Sequence, residues 1–221
     1  MKKNWWKIAG VFLILFSIIA GLLIPVPDLP IVHQSIRNLF FHVGMWFAML
    51  VIFTVSFIYS IRYLSGFKTD NDIVAQEASK VGVFFGILGI ATGMIWAKFT
   101  WGSWWVNDPK LNGAAVSLLV YFAYLVLRNS LNEEQKRAKV SAVYNIFAYV
   151  LLIVFIGILP HLAQGSIHPG DTSSPLTIGA LDNNLRLVFY PAVVGWILLA
   201  VWILELKVKI YKLERKINSY D

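Results

Sequence analysis

The sequence predicts an all-α, polytopic integral membrane protein with six transmembrane helices. Three observations carry this. Of the 221 residues, 58% are hydrophobic and only 14% are charged, against roughly 25% charged in a soluble domain. The apolar residues gather in six runs, near 8–24, 39–61, 81–97, 111–127, 140–160 and 187–206, each close to the about 20 residues a spanning helix needs. Glu205 is the single charged residue inside those limits. The runs also lack the period-two alternation of barrel strands. No repeat or separate soluble stretch interrupts them, so residues 1–221 read as one membrane domain.

The elements follow in order. The first run comes after Lys2, Lys3 and Lys7, as the core of a signal peptide would. It is longer than such a core and ends at Pro25 without a small-residue cleavage site, so it reads as an anchor. The second run carries His42 near its start, and the third and fourth are joined by an aromatic loop at 98–110. The fifth leads into a loop holding His161 and His168. After the sixth, Leu206, Ile210, Leu213 and Ile217 recur at helical spacing among Lys and Glu. This predicts an amphipathic tail over 207–221, solvated or interfacial, with partner docking as the alternative.

Basic residues set the orientation. With a cytoplasmic N-terminus, the inside segments hold Lys2, Lys3, Lys7, Arg62, Lys68, Lys80, Arg128, Lys136, Arg137, Lys139, Lys207, Lys209, Lys212, Arg215 and Lys216. Only Arg37, Lys98, Lys110 and Arg186 lie outside. Both termini are therefore expected in the cytoplasm. The net charge of +7 is explained by this bias and by anionic membrane lipid, so no nucleic-acid partner is required. The chain has no cysteine, which excludes thiolate metal sites, cysteine nucleophiles and covalent haem attachment through a C-x-x-C-H pair.

The chemistry gathers on the outer side. The loop after the third run contains Trp101, Trp104 and Trp105 within five residues, together with Gly102, Asp108 and Lys110. An interfacial aromatic belt is one reading; a flat platform for a large planar apolar ligand is the other. The histidines favour the second. His33, His42, His161 and His168 all fall on the side of this loop, and a histidine within a span is expected to face a partner or a cavity. A planar ligand with a central metal suits this set: haem takes one or two imidazoles, aromatic walls, and cations for its propionates. Arg37 and Lys110 are candidates for the last task, with an interfacial anchor as the alternative for each.

The run Trp101-Gly102-Ser103-Trp104-Trp105-Val106-Asn107-Asp108-Pro109-Lys110-Leu111 resembles the tryptophan-rich "WWD" signature of the haem-handling membrane proteins of cytochrome c biogenesis. With six spans and this length, the chain is most similar to the haem exporter protein C (CcmC) family, whose longer relatives CcsA and CcmF share the signature. Arg37-Asn38-Leu39-Phe40-Phe41-His42-Val43 and Ser166-Ile167-His168-Pro169-Gly170 resemble that family's two haem-ligand segments.

The resemblance implies His42 and His168 as axial ligands of a non-covalent haem b in transit. It implies Trp101, Gly102, Trp104, Trp105 and Asp108 as the platform, with Asp108 on a rim where a chaperone docks, and Arg37 and Lys110 beside the propionates. His33 and His161 match no ligand position. One departure stands out: Asn107 occupies a position where the family usually has Trp. The implied partners are a periplasmic haem chaperone and ABC-type transporter subunits, in the bacterial cytoplasmic (inner) membrane. The chain has no Walker A sequence, and haem handling rather than a self-contained catalytic reaction is expected. The alternative is a b-type membrane cytochrome in electron transfer. A secondary transporter would need broken or polar helices at midplane, which these runs lack.

Overall fold

The computed structural model describes residues 4–28, 32–162, 167–168 and 181–218. Lys2, Lys3, Ser166, Pro169 and Gly170, along with the side chain of His161, lie outside that set. Among the described residues the fold is all-helical, and six of its helical rods are long and apolar enough to cross a membrane.

The elements are α1 (Trp5–Leu23), a 3-10 turn (His33–Asn38) leading into α2 (Leu39–Gly66), α3 (Thr69–Trp101), α4 (Pro109–Asn129), α5 (Glu134–Leu152), a π-helical stretch (Ile153–Ile158), α6 (Leu159–Leu162) and α7 (Asn183–Ile217). α5, the π stretch and α6 follow one another without a break. The helices overrun the apolar runs. The 33 residues of α3 reach about 50 Å at 1.5 Å per residue, so its ends project beyond a hydrocarbon layer about 30 Å thick.

The short α2–α3, α3–α4 and α4–α5 connections make those neighbouring helices antiparallel, and the bundle has two chemically different ends. One, the basic end, gathers the start of α1, the α2–α3 and α4–α5 turns and the end of α7. The other, the tryptophan end, holds the 3-10 turn, the 101–108 loop and the start of α7.

Packing within a bilayer gains little from the hydrophobic effect, so close contact and interhelical hydrogen bonds must hold the rods together. The α2–α3 pair shows how the sequence achieves this. Gly82, Gly86, Gly89 and Gly93 lie on one stripe of α3: Gly82, Gly89 and Gly93 face Phe53, Trp46 and His42 of antiparallel α2, while Gly86 lies under Leu118 of α4 with Met49 of α2 beside it. A methyl added at Gly89 would stand 2.8 Å from the Trp46 ring, and one at Gly93 would stand 2.8 Å from His42 Cε1. The glycines therefore fix both the depth and the register of α2. α7 braces the same helix from another side, with Trp196 Nε1 donating to the Phe40 carbonyl at 3.0 Å. Deeper in the bundle, buried Asn145 of α5 donates to Ser56 and Ser60 of α2, each at 2.7 Å.

At the basic end Arg128 differs from what its place near a helix end suggests. It is buried, with 3% of its surface exposed. Its guanidinium grips Asp72 at 2.8 and 2.6 Å and donates to Gln76 at 3.0 Å. Rather than a loop charge beside lipid, it is a bidentate clamp between α4 and the first turn of α3. Glu205, the one charge within the sequence-read spans, pairs with Lys7 of α1 at 2.9 Å and with Lys209. α7 runs straight on to Ile217 and is tied down by Lys212–Asp70 at 2.7 Å and Arg215–Glu134 at 2.6 Å. Such exposed pairs are worth about 0–1 kcal/mol each. Leu206, Ile210, Leu213 and Ile217 stay exposed along this extension.

Candidate functional site

His42 lies in the first turn of α2, opposite Gly93. Because that glycine carries no side chain, the imidazole sits against the α3 backbone, with Nδ1 3.1 Å from Thr92 Oγ1. Trp46, one turn along α2, meets the His42 ring edge-on at 6.1 Å between centroids.

α3 ends at the other wall of the site. Gly102 takes φ +76°, a left-handed conformation that glycine adopts without steric cost, and its N–H closes the helix on the Lys98 carbonyl at 3.1 Å. Gly102 is thus the helix stop that sets the exit angle of the tryptophan loop. Just before it, Trp96 and Trp101 meet edge-to-face at 5.0 Å. Trp96 is tethered by its Nε1, which donates to Ser35 Oγ in the 3-10 turn at 3.1 Å.

The loop itself is braced by polar side chains. Trp105 Nε1 donates to Asn112 Oδ1 at 3.2 Å, and Asn112 Nδ2 donates to Asn107 Oδ1 at 2.7 Å. Asn107, which stands where a further indole was expected, therefore orients the amide that holds Trp105.

Asp108 corrects an expectation. It is not on an exposed rim; only 1% of its surface is accessible. Its Oδ1 accepts the Lys110 N–H at 2.8 Å, capping α4, whose first residue is Pro109. Its Oδ2 accepts the Ile167 N–H at 2.9 Å. One carboxylate thereby staples the start of α4 to the segment that carries His168.

That staple brings the second histidine to the first. The His168 ring centre lies 6.5 Å from that of His42, with the planes 34° apart. Trp96 and Trp101 flank it at 6.0 and 6.3 Å. Between the two imidazoles opens a cavity of about 220 Å³, walled by Trp46, Trp96, Trp101, Trp105, Met94 and Ile156, with Lys110 also in its lining. That volume is below the about 300–1,000 Å³ of pockets that enclose a drug-sized ligand. A large planar guest would be held with part of its edge outside.

Of the sequence-read residues, the cavity gathers His42, His168, Trp101, Trp105 and Lys110. Gly102 and Asp108 shape it without lining it. Trp104 stands outside, about half exposed. Arg37 is not in the wall either: it donates to the Gly21 carbonyl of α1 at 2.6 Å and to Gln34 at 3.0 Å. His33 bonds Asp28 at 2.7 Å, away from the cavity.

Trp46, Trp96 and Thr92 were missed from the sequence. Trp46 was the most accessible of the three, lying four residues from His42 on the same helical face. Trp96 and Thr92 sit on α3 beside the Gly89/Gly93 stripe, which takes its meaning from the α2 residues opposite it.

A family model described as Heme exporter protein C matches residues 2–220. The Heme exporter protein C of Paracoccus denitrificans is 22% identical over 175 residues, which cover 79% of this chain and 72% of that protein. The cytochrome c biogenesis protein CcsA of Prochlorococcus marinus subsp. pastoris is 39% identical over 87 residues, 39% of this chain and 27% of its own length. A second Prochlorococcus marinus CcsA, from strain SARG, is 40% identical over 80 residues. The chain thus spans about a quarter of the length of these CcsA relatives. With a match that runs almost end to end, the chain belongs to the heme exporter protein C (CcmC) family.

Proposed function

We propose that this protein holds haem b, as cargo in transit, on the outer face of the bacterial cytoplasmic membrane, with the iron between His42 and His168. It hands the haem to a periplasmic haem chaperone, beside ABC-type transporter subunits of the same system. One observation carries the reading: two imidazoles from different segments face each other 6.5 Å apart across an aromatic cavity. Two metal–nitrogen bonds of about 2 Å each, with roughly 1 Å from each nitrogen to its ring centre, call for about 6 Å. The donor set and spacing fit.

The other residues take roles from where they stand. Trp101 and Trp105 cover the macrocycle's apolar faces. Lys110, in the cavity lining, meets a propionate. Half-exposed Trp104 belongs to the surface offered to the chaperone. Arg37 holds α1 against the 3-10 turn. Partial enclosure suits a carrier, because an exposed haem edge lets the acceptor engage before the ligands release. A cytochrome moving electrons across the bilayer would need a second imidazole pair toward the basic end, yet all four histidines of the chain lie toward the tryptophan end.

Sidedness is tested directly, since the chain has no cysteine. Single cysteines replacing Ser103 and Ser130 are expected to react with an impermeant maleimide from outside and from inside, respectively. Labelling of both from one side contradicts the orientation.

Asp108→Ala is a second test. With the staple gone, the His168 segment loses its tie to α4. Haem content is expected to fall about 10-fold, the usual scale for losing a group that orients a metal ligand. Unchanged content and spectrum would remove Asp108 from the site.

A further inference from the structure

We infer that Thr92 is a positioning residue that sets the tautomer of His42, so that the nitrogen left with a lone pair is Nε2. This rests on the reading of His42 as an iron ligand and explains how the ligand is prepared before haem arrives.

The hydrogen-bond accounting leaves little freedom. Thr92 Oγ1 lies 2.8 Å from the Leu88 carbonyl and 3.1 Å from the Gly89 carbonyl, both in the preceding turn of α3. Carbonyls only accept, and a hydroxyl has one proton, so that proton is committed to the helix backbone. Toward His42 Nδ1, at 3.1 Å, the hydroxyl can then offer only a lone pair. Nδ1 must supply the N–H, and the Gly89 carbonyl of the same turn is a further acceptor beside the ring. A neutral imidazole carries one N–H, so Nε2 is the basic nitrogen, and a metal can bind there.

Two more contacts hold the threonine and the ring in place. The Thr92 carbonyl lies 3.4 Å from Asn38 Nδ2, one helical turn before His42 on the same face. Any side chain at Gly93 would collide with the ring, 2.8 Å from Cε1. Tautomer and ring position are therefore both dictated by α3. The same N–H···O bond makes the ligand more electron-rich, which favours oxidised iron over reduced iron.

The test compares Thr92→Val, which keeps the shape and loses the oxygen, with Thr92→Ser, which keeps the oxygen. Haem content, haem loss to apomyoglobin, iron midpoint potential and low-spin electron paramagnetic resonance are measured on the purified full chain. Thr92→Val is expected to lose haem about 10-fold faster and to show a raised potential, with Thr92→Ser near the unmodified protein. If both variants match the unmodified protein in potential and resonance, or both fail equally, the inference is overturned.

Nitrogen NMR of labelled histidine in the haem-free unmodified chain reads the tautomer without any variant at this position. His42 is identified by loss of its signal in His42→Ala. A protonated Nδ1 supports the inference, and a protonated Nε2 overturns it. The underlying reading fails separately: in that case His42→Ala itself leaves the iron spectrum unchanged.

Discussion

His42→Ala is expected to strip haem from the purified protein by about 100-fold or more, at or above the top of the 10- to 100-fold range that follows loss of an orienting partner. The reason is mechanical as well as chemical. His42 is held on α2 by the contacts with Gly93 and Thr92, and α2 is itself set in register by the close contacts of Phe53 with Gly82 and Trp46 with Gly89. His168 is different, because it sits in a loop segment held at Ile167 by Asp108. His168→Ala is expected to keep more haem than His42→Ala while turning the iron from six- to five-coordinate. His33→Ala, whose ring bonds exposed Asp28, is the control and is expected to match the unmodified protein. Haem per protein and the absorption spectrum decide all three. Equal haem in His42→Ala and the unmodified chain would remove the ligand assignment.

The largest loss of stability is expected at the opposite end. Asp72→Ala leaves the Arg128 guanidinium buried beside Gln76 without its carboxylate. Stranding one member of a buried ion pair costs about 3–5 kcal/mol, whereas replacing both by apolar residues of similar size is often neutral. The double variant Asp72→Leu, Arg128→Met is therefore expected to recover much of what Asp72→Ala loses. Thermal unfolding in detergent of the single and double variants measures this. A double variant no more stable than the single one would show that the pair does not act as a unit.

What could be read from the sequence, and what could not, divides along a physical line. Hydropathy counts residues along one rod, and six long apolar runs with one internal charge leave little room for any class but a helical membrane bundle. The tryptophan loop and the two histidine segments are contiguous strings, so they too were visible. Partners across helices were not. Arg128 and Asp72 are 56 residues apart, and nothing in either neighbourhood marks them as a pair. Asp108 reads as a loop charge until the Ile167 N–H is seen on its second oxygen. Arg37 reads as a ligand-facing cation until its guanidinium is found on the Gly21 carbonyl. The spacing of Gly82, Gly86, Gly89 and Gly93 was there to read. Its meaning depends on the matching large residues of α2, which only an antiparallel register brings opposite.

The central claim is that two imidazoles, from His42 and His168, hold the iron. Low-temperature electron paramagnetic resonance combined with near-infrared magnetic circular dichroism, on the oxidised protein purified with its haem, tests it most directly. The account predicts a six-coordinate, low-spin bis-histidine signature that disappears in both His42→Ala and His168→Ala. A histidine–methionine signature, with Met94 of the cavity wall supplying the sulfur, or a bis-histidine signature that survives either substitution, would contradict it.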